Sequence, residues 1–120
     1  MIETIRQAII TADTAGRLGG RVRPHIAAVG ESLPFAVVDV RESPLGFLDA
    51  VEYATYDVTI TIYASDAATS RAIAKTLWTY LEELSDWSIS EVSYDADVPV
   101  AEQGDAVYRA EIRGTVVANG

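Results

Sequence analysis

The sequence predicts an α+β domain: a mostly antiparallel sheet of about four to five strands with two α-helices packed on one face. Three observations lead there. Apolar residues recur at helical spacing in only two stretches, one at the N-terminus and one after residue 66. Two-residue alternation of apolar and polar side chains fills much of the rest. The links between neighbouring alternating stretches are short, which favours antiparallel pairing over crossovers.

Ile2, Ile5, Ile9 and Ala12, with Ala8 beside them, predict a helix over 2–15. Gly16 and then Gly19-Gly20 supply its stop signals. Val22 sits in a short extended piece before Pro24, and 26–33 reads as a loop. Residues 34–41 are rich in β-formers, with Pro34 at the first position, where a missing N–H is tolerated. A loop follows from Glu42. Over 53–64, Val58, Ile60 and Ile62 alternate with Asp57, Thr59, Thr61 and Tyr63, the clearest strand of the chain. Ser65 or Asp66 caps the second helix, whose stripe of Ile73, Ala74, Leu77, Trp78, Leu81 and Leu84 docks on the sheet. It ends near Leu84-Ser85.

Residues 87–94 read as a strand with Trp87, Ile89, Glu91 and Ser93 on one face. Residues 95–104 read as a polar connection. The last strand, 106–117, turns Tyr108, Ala110, Ile112 and Val116 inward, and Val107, Arg109, Glu111, Arg113 and Thr115 outward. Gly114 falls in the inward set and marks a bulge.

The 120 residues make one domain, 1–120, of 12.9 kDa, a length that builds its own core. No cysteine is present, which excludes disulfides, thiolate metal sites and a cysteine nucleophile. The formal net charge is −9, which excludes a whole-surface basic footprint for duplex DNA. The start of the sequence lacks a basic region before an apolar core, so no secretory signal is expected, and no stretch is long and apolar enough for a transmembrane helix.

Catalytic and cofactor motifs are absent, and no cofactor is expected. His25 is the only histidine and has no nucleophile placed beside it. Gly30-Glu31-Ser32-Leu33-Pro34 carries Pro where a nucleophile elbow needs its second Gly. Asp95-Ala96-Asp97, with Glu102 and Asp105 downstream, is interrupted by Val98-Pro99-Val100 where a calcium loop needs a tight glycine turn, so a solvated acidic loop is the expectation. Gly19-Gly20 follows a helix and lacks the phosphate-loop pattern. Trp78 and Tyr80 fit core and rim positions.

Charge placement says more. Arg17, Arg21 and Arg23 cluster after the first helix, and Arg109 and Arg113 share the outward face of the last strand. Residues 76–108 hold eight acids (Glu82, Glu83, Asp86, Glu91, Asp95, Asp97, Glu102 and Asp105) and no Lys or Arg. Solubility alone accounts for such a pattern. The sharper expectation is a heterologous self-contact, in which the basic cluster of one copy meets the acidic segment of the next and a ring closes if the rotation closes.

Several ordered pieces resemble the tail-completion, or tail-terminator, proteins of long-tailed bacteriophages. They are Leu18-Gly19-Gly20-Arg21-Val22 after an N-terminal helix, then Leu33-Pro34-Phe35-Ala36-Val37-Val38, then Val58-Thr59-Ile60-Thr61-Ile62-Tyr63-Ala64-Ser65 running into a helix with Ala68, Ala72 and Ala74. The likeness covers about residues 2–84. It implies a structural virion protein of the neck rather than an enzyme, assembled in the host cytoplasm. Such proteins form a ring, commonly of about six copies, that caps the tail tube, stops its polymerisation and joins it to the head-side connector. DNA passes through the lumen without specific binding, and no membrane is involved. Termination needs one face that matches a tube subunit and one that does not, and the loops at 42–52 and 95–105 are the candidates. The alternatives are a head-closure or other neck connector protein, and a cellular α+β module that binds a small ligand.

Overall fold

A computed structural model of the chain describes residues 2–24, 34–43, 53–99 and 106–119. In order, the elements are α1 (Ile2–Ala12), β1 (Val22–Pro24), β2 (Phe35–Ser43), β3 (Tyr53–Ala64), α2 (Ala67–Glu82), β4 (Trp87–Pro99) and β5 (Ala106–Asn119). The fold is α+β, as the periodicities predict. The five strands form one sheet in the order β1-β2-β3-β5-β4. Three of its pairings are antiparallel, but β1 lies parallel to β2, so the sheet is mixed. β5 inserts between β3 and β4, which leaves β1 and β4 as the two edges.

α1 is shorter than its sequence predicts. The Asp13 N–H still donates to the Ile9 carbonyl, but the Asp13 carboxylate then accepts the backbone N–H groups of Arg17 (3.2 Å) and Leu18 (2.8 Å). That competing pattern ends the helix. The chain reverses through Gly16, Gly19 and Gly20, all with positive φ, where a side chain would be strained. Leu18 is thereby driven into the core, fully buried. Asp66 caps α2, its carboxylate accepting the Thr69 N–H at 2.7 Å.

One apolar cluster joins α1 (Ile5, Ile9, Ala12), α2 (Ile73, Ala74, Leu77, Leu81) and the inward residues of the sheet (Val22, Ala36, Val38, Val58, Ile60, Ile62, Ala110, Ile112). Both helices therefore cover one face, and among the described residues the other face is open. Trp78 and Tyr80 are half-buried against this core.

Three sequence expectations change along the strands. β2 continues through Ser43, because Glu42 and Ser43 pair with Tyr56 and Thr55. β4 continues through Pro99, because Val98 and Pro99 pair with Val107 and Ala106, so Asp95–Pro99 is strand rather than loop. Proline is tolerated there because β4 is an edge. The faces of β4 also differ from simple alternation. Ile89 pairs with Gly114 and Glu91 with Arg113, leaving Ser90 as an extra residue in a bulge. Beyond it Val92 takes the inward register opposite Ile112, while Glu91 and Ser93 lie opposite the outward Arg113 and Glu111. Ser90 Oγ donates to the Arg113 carbonyl at 3.0 Å. Gly114 does mark this irregularity: a Cβ there would stand 2.6 Å from the Ser88 carbonyl oxygen.

Candidate functional site

The edges of the sheet differ in charge and in backbone chemistry. At the β1 edge stands the turn carrying Arg17, Arg21 and Arg23. Arg21 Nε donates to the Pro34 carbonyl at 2.9 Å, and its guanidinium lies over Gly19. β1 meets β2 through the Ala36 N–H, which donates to the Arg21 carbonyl at 2.9 Å. Successive residues of a strand point their backbone groups to opposite sides, so those of Val22 face away from β2. Both are already engaged. The Val22 N–H donates to the Gly20 carbonyl at 2.9 Å, and the Val22 carbonyl accepts from Arg6 Nε of α1 at 2.6 Å. Arg6 is held in turn by Glu3, 2.9 Å away. Pro24 has no N–H to give. This edge is closed to further strand pairing; Arg17 beside it is exposed, and Arg21 and Arg23 are half-buried.

The β4 edge pairs on one side only, with β5. It is the longer edge, 13 residues against 3. Glu82 and Glu83 close α2, Asp86 precedes β4, and Glu91 lies on it; all four are exposed. Asp95 and Asp97 belong to the β4 backbone, whereas Glu102 and Asp105 lie outside the described residues, as does His25. Arg71 of α2 is the nearby cation, with its guanidinium 5.2 Å from the Tyr94 ring.

Arg109 and Arg113 do not join the other arginines. β5 is an interior strand, so both lie in the middle of the open face, Arg109 opposite Tyr63 and Asp95, Arg113 opposite Thr59 and Glu91. Arg113 also pairs with Glu111 at 3.4 Å. Arg113 and Glu111, together with Asp39, Arg41 and Asp57, line a shallow concavity of ≈ 750 Å³ across β2, β3 and β5. Arg41 and Asp39 stand 3.6 Å apart, Arg41 exposed and Asp39 half-buried, a geometry in which an ion pair contributes little. Phe35 and Tyr63 stack on the same face, ring centroids 5.0 Å apart. The concavity thus offers carboxylates, guanidinia and threonine hydroxyls of mixed sign.

The two ends of the sheet differ as well. The β2–β3 ladder runs out to Ser43 and Thr55 beside the C-terminal end of β5, whereas the β4–β5 ladder runs out to Pro99 and Ala106 beside the C-terminal end of β3. The connected ends of the two strand pairs therefore lie at opposite ends of the sheet. The candidate loops at 42–52 and 95–105 are strand at Glu42, Ser43 and Asp95–Pro99, and otherwise lie outside the described residues.

The role of Arg6 was not visible in the sequence, because its partner Val22 is 16 residues away and the bond is to backbone. Among the described residues no helix is long and apolar enough to cross a membrane. No protein-family model matches the chain, and no curated protein matches it.

Proposed function

We propose that the chain is a structural virion protein, a tail terminator that closes as a ring of about six copies on the end of the tail tube, stops its polymerisation and joins it to the head-side connector. The observation that carries this reading is the pair of hairpins at opposite ends of one sheet. A terminator must offer the tube an end it fits and offer the next tube subunit an end it does not fit. A subunit with unlike hairpins at its two ends meets that requirement, provided its copies stand side by side.

The likeness of residues 2–84 to tail-completion proteins supports the same reading. The segments that carry it fall in α1 and its glycine turn, in β1, in β2, and in β3 with the start of α2. The net charge of −9 suits a lumen through which DNA slides without sticking.

The test is a tube-growth assay with the tail-tube protein of the same particle, imaged by negative-stain electron microscopy. Substoichiometric addition of this chain is expected to arrest elongation and to leave ring density at one end of each tube. Tubes of unchanged length with bare ends would contradict the reading.

A further inference from the structure

We infer that the lateral contact between copies seats the Arg17–Arg23 turn of one subunit on the acidic β4 edge of the next, through side chains rather than through a continued strand ladder. This contact rests on the ring reading and names the surfaces that join its subunits.

The sheet register places the two charge clusters level with each other. Arg23 pairs with Val37, Val37 with Thr61, Thr61 with Glu111, and Glu111 with Ser93. Arg23 and Ser93 therefore end one row that crosses the whole sheet. Glu91 and Asp95 flank Ser93 on β4 at two-residue spacing, opposite Arg113 and Arg109 of the open face. Arg21 stands two residues before Arg23. Arg23 and Glu91 thus occupy opposite edges, in neighbouring rows, on the same face of the sheet. A copy displaced sideways brings its Arg21–Arg23 segment towards the Glu91–Asp95 segment of β4 of its neighbour.

Strand direction agrees with that placement. β1 runs with β2, and each later pairing reverses direction, so β4 runs opposite to β1. Copies in one orientation set β4 of one antiparallel to β1 of the next. The ladder nevertheless does not continue, because the outward groups of Val22 are bound to Gly20 and Arg6 and Pro24 has no donor. An open sheet-to-sheet ladder invites fibres, whereas contact by charged side chains leaves the angle between copies to be set by the ring. The two surfaces are different, so the contact is heterologous and repeats from copy to copy.

The experiment is sedimentation velocity on the full chain and on two charge-reversed variants, R21E/R23E and E91K/D95K, with circular dichroism as the check on folding. Each variant alone is expected to self-associate about tenfold or more weakly than the wild type, since every contact then sets like charges together. Mixed in equal amounts, the variants are expected to reassemble, because each reversed edge meets a complementary edge on the other variant. The unmodified chain gives a second reading that does not depend on the variants folding. Its association is expected to weaken steeply between about 0.1 and 1 M salt, as the screening length falls from about 10 to about 3 Å. Wild-type-like assembly of both folded variants, or association indifferent to salt, would overturn the inference. So would a failure of the mixture to reassemble. Charge-dependent assembly that leaves tube growth untouched would uphold this contact and overturn the terminator reading alone.

Discussion

Asp13 shows how one side chain redirects the fold. Its carboxylate takes two backbone N–H groups that have no helical partner, and so converts the end of α1 into the turn that carries the arginines. Asp13→Ala leaves the buried Leu18 N–H unsatisfied and is expected to cost about 1–3 kcal/mol in urea unfolding, with Asp13→Asn recovering part of it through its remaining oxygen. Gly114 acts by absence. A methyl group there meets the Ser88 carbonyl, which is backbone and cannot swing aside. Gly114→Ala is expected to cost about 1–3 kcal/mol by the same measurement. Gly114 announces itself in the sequence as a small residue in an apolar register, whereas the Ser90 bulge opposite it does not, because Ser88, Ser90 and Ser93 look alike in an alternating pattern.

At the scale of elements, α2 depends on its cap. Hydrogen bonds from the Thr69 backbone N–H, and then from its hydroxyl, hold the Asp66 carboxyl below its ordinary pKa. A carboxylate with a lowered folded pKa stabilises fully above the unfolded value of about 3.9, and that stabilisation is lost as pH falls through the folded value. The melting temperature of the wild type is therefore expected to exceed that of Asp66→Asn near neutral pH. The gap is expected to narrow below about pH 4, read by thermal circular dichroism. Elements such as α2 and β3 were legible because burial imposes their spacing: Ile73, Leu77 and Leu81 on one helix face, Val58, Ile60 and Ile62 on one strand face. The end of β4 was not. An edge strand faces water on one side, so Asp95 and Asp97 give it the composition of a loop, and only pairing with β5 makes it a strand.

For the whole molecule, strand order decides which charges meet. The sequence places five arginines in two groups, and spacing along the chain treats them alike. The insertion of β5 between β3 and β4 separates them, sending Arg109 and Arg113 to the interior of the open face and leaving Arg17, Arg21 and Arg23 at an edge. That insertion rests on long-range pairings such as Trp87 with Val116, which local periodicity does not encode. The acidic run from Glu82 onward was legible as a block, but the position of Glu91 and Asp95 across the sheet from β1 follows from topology alone.

Closure of copies into a ring through unlike edges is read from native mass by light scattering over a range of protein concentrations. A ring is expected as a species of about 77 kDa, six copies of the 12.9-kDa chain. A closed two-fold dimer of about 26 kDa at every concentration would contradict it, because an isologous pair consumes the surface that a ring needs.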